Sequence, residues 1–399
     1  MICNMNKPER IYLDYAAATP LSPSAFSAME PYLKGDFGNP SAIHAEGVTA
    51  RLAVEEARAV IAGSVQVRPE FVTFTSGGTE GNNLALFGVV ESLALAGRPY
   101  AQMEVITTKI EHPSISVAVV KLQRMGVKVK YVSVDEAGKM KVDNLKELLS
   151  EKTVLVSCAY ANSEIGTIQP LHAIKKKMLE AEKEFTTEIY LHVDGAQAPL
   201  WLTCQFGAVG ADLFTLDFAK CHGPKGTGAL IRSRRVNICA SVYGGGQESG
   251  LRPGTENVSG VVGAAVAFSE AQAAWKERTE TVSQIRDGAI KLLQSTIPSL
   301  LVNGAQGSDR LANNINISIP GLDTEFAAVV LDSKGFAVST KSACAGAGGG
   351  ESAVVKEISG DSVRALATLR FSLGPDTTID QLEKLTQILS QHTTKMKNI

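Results

Sequence analysis

The chain has 399 residues, 39 Lys and Arg against 41 Asp and Glu, and a formal net charge of -2 at neutral pH. That length exceeds the size at which one core usually stops growing, so two domains sharing a cleft are expected, and the balanced charge creates no field for nucleic acid or anionic lipid. Met1 to Arg10 holds no apolar run, Val258 to Phe268 is too short and too rich in Gly and Ala to cross a bilayer, and Cys3, Cys158, Cys204, Cys221, Cys239 and Cys344 form no CxxC pair. These features predict a cytoplasmic protein without membrane span, disulfide framework or metal site.

β-Branched runs recur at 71–75, 104–108, 127–134, 153–160, 188–195, 212–218 and 228–233, with helical patterns between them. Alternation of this kind predicts an α/β fold, and the nearly continuous apolar character of the runs predicts a mainly parallel sheet covered by helices on both faces. From about Ala264 to Ile297, Phe268, Ala271, Trp275, Val282, Ile285 and Ile290 are spaced for one helical face, which reads as a connector between domains. Beyond it come a strand at 314–320, a helix at 324–335, a strand at 369–373 and an amphipathic helix from Thr378, the pattern of a smaller α+β domain. The expected division is a large domain over 16–263 and a small one built from 1–15 and 264–399. Ala345 to Gly350 reads AGAGGG, a loop by virtue of glycine's conformational freedom. The KKK run at 175–177 is expected to be a solvated helix face rather than a nucleic-acid site.

Three stretches at strand ends carry chemistry. In TSGGTE (75–80) the backbone amides of Gly78 and Thr79, with the Thr79 hydroxyl, could cradle an anion at a helix start. A purely structural glycine turn is the alternative. In HVDGAQ (192–197) Asp194 closes a buried-looking strand and needs a partner, either a cationic ring nitrogen or the amides of a following helix. In DFAKCHGPKGTGAL (217–230) Lys220 follows a strand directly and could condense with an aldehyde, whereas Lys225 lies in a tight GPKG turn.

With these stand IYLDYAAATP (11–20), GNPSAIH (38–44), EHPSI (111–115), NSEIGTIQP (162–170), GGGQESGLRPGTEN (244–257), SAC (342–344) and RFSLG (370–374). Taken in order over about 360 residues, the set resembles the cysteine desulfurases, fold-type I pyridoxal-phosphate (PLP) enzymes of the class V aminotransferase group. The resemblance implies that Lys220 carries PLP, Asp194 pairs with its ring nitrogen, His112 stacks on the ring and moves protons, and Gln197 bonds the phenolic oxygen. Gly78 and Thr79 would hold the phosphate together with Thr255 from a second subunit, which implies a homodimer. Arg370 would clamp the substrate carboxylate, with Asn39 and His44 near the cleft. Cys344, in the longer-loop branch that serves iron-sulfur cluster assembly and tRNA thiolation, would attack the sulfur of L-cysteine, leaving L-alanine and a persulfide for a protein acceptor.

Two departures from the family pattern bear on the cofactor. Its usual Ser-x-His-Lys reads Asp217-Phe218-Ala219-Lys220, which puts a carboxylate next to the phosphate position unless Asp217 turns away or is protonated, with His222 as a conceivable substitute donor. Its usual Asn-Asn-Glu reads Asn162-Ser163-Glu164, which leaves Ser163 at the cofactor contact; Asn162 is expected on the opposite face of a strand. These changes keep two other readings in view: a PLP-fold scaffold or regulator without turnover, and a selenocysteine lyase.

Overall fold

The computed structural model describes residues 10–340 and 350–397. Twelve strands are present among them: β1 (Ile11–Tyr12), β2 (Val72–Thr75), β3 (Glu104–Thr108), β4 (Lys128–Val132), β5 (Thr153–Ala159), β6 (Tyr190–Asp194), β7 (Leu213–Asp217), β8 (Gly228–Arg232), β9 (Leu301–Val302), β10 (Asn314–Ser318), β11 (Phe336–Ala337) and β12 (Thr368–Ser372). A seven-stranded sheet runs in the order β2-β8-β7-β6-β5-β3-β4. Only β8 opposes the other six: it is antiparallel to both β7 and β2, while the remaining pairs are parallel. The short segment 218–227 between β7 and β8 leaves no room for a crossover helix, so the chain turns straight back.

Helices α1 (Pro23–Lys34), α2 (Ala45–Val65), α3 (Gly78–Leu95), α4 (Pro113–Arg124), α5 (Val142–Leu148), α6 (Leu171–Phe185) and α7 (Phe206–Val209) intervene between the strands of this sheet or precede it. Every residue of β2, β3 and β6 is buried, as expected for strands covered on both faces. The edge strand β4 is mostly part-exposed and carries Lys128 and Lys130, both paired with Glu104 of β3, a charge arrangement that discourages further strand pairing.

Where one connector helix is expected, two form: α8 (Val258–Ala273) and α9 (Trp275–Thr296), separated by Ala274 at φ -115° and ψ 11°. Tertiary bonds hold the break: Arg278 donates to the carbonyls of Leu200 and Ala271, and the Thr279 hydroxyl to that of Trp201. A second sheet, β12-β10-β9, is antiparallel, and the helices α10 (Thr324–Ser333), α11 (Ala353–Ser359), α12 (Ser362–Leu366) and α13 (Ile379–Lys397) accompany it. The chain start joins this region through the parallel β1–β11 pair and a bridge between Asp14 and Ser372. Among the described residues no helix is long and apolar enough to cross a membrane.

Candidate active site

Strand register brings the chemistry to one edge. Ala159 lies opposite Asp194, Asp194 opposite Thr215, and Gly228 opposite both Asp217 and Thr75. The carboxyl ends of β2, β5, β6 and β7 thus meet at the start of α3, the place where open α/β sheets bind ligands. A cleft of about 460 Å³ opens there, lined among others by Gly78, Thr79, His112, Ser163, Asp194, Gln197, Asp217 and Lys220. Its fourteen lining residues also include Asn82 and Ser114.

The Asp194 carboxylate is buried and accepts from the Asn82 amide at 2.8 Å and the backbone amide of Ala196 at 3.0 Å. No cation pairs with it among the described residues. Asn82 also donates to the Ser114 hydroxyl at 2.8 Å, and that hydroxyl lies 2.8 Å from Nδ1 of His112. Because Nδ1 accepts from the Ser114 amide at 3.1 Å, the hydroxyl donates to it too and the imidazole proton belongs on Nε2. Burial pushes the His112 pKa down from 6.5 and the charge of Lys220 does the same, against the opposing pull of Asp194 and Asp217. His112 is therefore a neutral base at pH 7, seated as the N-cap of α4.

Asn82 and Ser114 were not singled out in the sequence. Asn82 stands four residues after Gly78, one helical turn along the same face, and Ser114 two after His112; that spacing was the available signal. Below them Glu111 is wholly buried, accepting from the Thr108 hydroxyl at 2.6 Å and the Ala159 amide at 2.9 Å. Burial raises its pKa to about 8.

Of the two lysines, Lys220 lines the cleft and has no hydrogen-bond or ion-pair partner among the described residues, whereas Lys225 donates to the Thr19 carbonyl at 2.6 Å. His222 does not reach the cleft as a substitute donor. Its backbone takes the left-handed conformation, φ 64°, and its Nδ1 bonds the Pro20 carbonyl at 3.0 Å. Asn162 and Ser163 both line the cleft, contrary to the strand-face expectation, because they lie in a turn after β5. The Asn162 side chain holds that turn, bonding the Ile110 carbonyl and the amides of Glu164 and Ile165.

Asp217 does not turn away. Its carboxylate accepts from the Ala219 amide at 3.1 Å and faces Gly78, and burial raises its pKa. Gln197 donates Nε2 to the Ala16 carbonyl at 2.9 Å and keeps a second amide hydrogen. Arg370 is buried beside the cleft, donating to the Ser163 carbonyl at 3.0 Å and to Asp14 at 2.7 Å, with Nε unpartnered. Asn39 and Thr255 are exposed and do not line the cleft of their own chain; the Asn39 side chain accepts from the Ser41 amide. His44 caps α2. Cys344 lies outside the described residues.

Comparison with known proteins places the chain in a family. The class V aminotransferase family matches residues 11–385. A cysteine desulfurase, IscS, of Dictyoglomus turgidum is 37% identical over 389 residues, 98% of this chain and 96% of the relative. The chain belongs to the class V aminotransferases and, within them, to the cysteine desulfurases. A solved NifS-like protein superposes with a TM-score of 0.87 at 30% identity, covering 96% of this chain and 99% of that one. Another, described as SspA in complex with cysteine, gives 0.77 at 29% identity, covering 92% and 99%.

Enzymes of this family depend on PLP. The cleft fits its ring: Asp194 is a buried carboxylate lacking a cation, and Lys220 is an amine lacking a partner among the described residues. At the other end the helix-start amide of Gly78 fits a phosphate, but the Asp217 carboxylate lies against that residue.

Proposed function

We propose that this chain converts L-cysteine to L-alanine and passes the sulfur, as a persulfide on Cys344, to a protein acceptor. The observation that carries the reading is the convergence of Lys220, His112 and a cation-free Asp194 in one cleft. When bound, PLP supplies an electron sink for negative charge developing on the substrate carbon.

Lys220 would hold the cofactor aldehyde, Asp194 the protonated ring nitrogen, and Gly78, Thr79 and the partner's Thr255 the phosphate. The second amide hydrogen of Gln197 would bond the phenolic oxygen, and Ser163 would stand at the cofactor edge. The substrate carboxylate is expected at Arg370, whose planar guanidinium suits it, with Asp14 then as competitor and orienting group. Neutral His112 presents its Nε2–H as a hydrogen-bond donor, and as a base it takes up a proton at Nδ1 when the bonds from Ser114 to that atom give way. Lys220 amine and His112 together move the protons, and the Cys344 thiolate attacks the substrate sulfur, breaking its bond to carbon and leaving alanine after protonation. The acceptor would be an iron-sulfur cluster scaffold or a tRNA-thiolating enzyme in the cytoplasm, and Asn39 would approach the substrate.

The test is alanine and sulfide release from L-cysteine with reductant, in the wild-type protein and in Cys344→Ala and Lys220→Ala. Both products from wild type alone are expected. Neither product from PLP-supplied wild type would replace this reading by that of a scaffold or regulator, which draws on the Asp217 carboxylate at Gly78.

A further inference from the structure

The amide donors at the start of α3 suit an anion, and a carboxylate of the chain itself lies against them. Asp217 ends β7, and register with Gly228 of β8 holds its backbone in place. Its carboxylate accepts the Ala219 amide next to Lys220 at 3.1 Å and faces Gly78, the first residue of α3. A Cβ built on Gly78 would lie 3.5 Å from the Asp217 Oδ2 and 3.4 Å from its Cβ, so this carboxylate lies against the helix start. Gly77 precedes it at φ 143°, the turn that aims the amides into the cleft.

We propose that Asp217 is an internal stand-in for the cofactor phosphate, capping α3 in the cofactor-free protein and competing with the phosphate for the Gly78 amide. The inference rests on the PLP reading of the cleft. A carboxylate satisfies the helix start as a phosphate does, through the same positive end of the helix. The two anions cannot share one donor without strong repulsion, so the phosphate enters when Asp217 is displaced or takes up a proton. Lys220 is the cation that faces Asp217, Asp194 is the second carboxylate, and His112 and buried Cys221 lie within its electrostatic reach.

The consequence is that the phosphate group contributes little to cofactor affinity in this protein. Equilibrium titration of cofactor-free protein with PLP and with phosphate-free pyridoxal, followed by fluorescence and by dialysis, reads this directly. Asp217→Asn and Asp217→Ser are expected to tighten PLP binding by about tenfold or more while leaving pyridoxal within about twofold, and PLP affinity of wild type should fall as pH rises, a slope both variants lose. Inorganic phosphate should raise the melting temperature of the cofactor-free variants and leave wild type unmoved, a readout that needs no turnover. Equal affinity of wild type and variants for PLP, or an equal change for both aldehydes, overturns the role of Asp217. Failure of wild type and both variants to bind either aldehyde overturns the PLP reading and the inference with it. Circular dichroism of the variants separates either result from misfolding.

Discussion

His112 shows how much of the site's behaviour depends on surroundings rather than residue type. Burial lowers its pKa below the ordinary 6.5, so the neutral form persists into mildly acid solution. The acid limb of kcat/KM that reports His112 is expected below pH 6.5, and in Asp217→Asn lower still, because one of the two anions favouring the charged form is gone; pH-rate profiles of both proteins check it. A limb above 6.5 would contradict the neutral assignment. Glu111 gives the matching prediction for stability. Its carboxyl rises from 4.5 unfolded to about 8 folded, so the stability it contributes is complete below about pH 4.5 and is lost as pH rises to about 8. Denaturant unfolding between pH 5 and 8 is expected to show wild type losing stability relative to Glu111→Gln as pH rises. At this scale Lys220, Asp194 and His112 could be read from residue type and motif, but Asn82 and Ser114 could not: their amide and hydroxyl matter only because α3 and the first turn of α4 bring them within 2.8 Å of each other.

Among the elements, the loop that carries Thr255 is anchored by one side chain, Glu248. It begins in a short 3-10 turn, Gln247–Gly250, where Glu248 and Ser249 both hold positive φ, 50° and 56°, a conformation non-glycine residues resist. Glu248 sustains it by a bidentate pair with Arg58 of α2, both contacts at 2.7 Å, and by accepting the Phe74 amide of β2 at 2.8 Å. Glu248→Ala leaves buried Arg58 with only Glu55 as its anion and the Phe74 amide without its acceptor, and a loss of about 1 to 3 kcal/mol in unfolding free energy is expected. Thermal and denaturant melts measure it, and a loss under about 1 kcal/mol would show that the pair does not anchor the loop. The strands of the large sheet were legible because burial on both faces demands unbroken apolar runs. β1, β9 and β11 were not, since two residues carry no periodicity and each forms only where a partner strand is presented.

For the whole molecule, the exposed Thr255, which does not line its own cleft, makes assembly the decisive question. The expected species in sedimentation has twice the 42.2 kDa mass of one chain. Hybrids of Lys220→Ala with Thr255→Ala chains then test the sharing of sites. In a hybrid one cleft carries both lesions and the other neither, so mixing two weak parents should restore up to about half of wild-type activity per dimer, the fraction of intact clefts expected for a symmetric pair. No recovery on mixing, with hybrids shown to form, would place Thr255 outside the shared site.

The chain's residue order by itself determined the α/β class, the parallel character of the main sheet and the lysine, aspartate and histidine of the cleft, because each follows from local composition or from a motif confined to a few residues. Only the tertiary structure decided that β8 runs against its neighbours, that the connector breaks at Ala274, that His222 faces the Pro20 carbonyl and that Asp217 lies against Gly78. Those outcomes depend on which donors and acceptors meet across segments far apart in the chain. Asp217 and Gly78 are separated by 139 residues, and only the pairing of β7, β8 and β2 brings a carboxylate to the helix start where an anion is favoured.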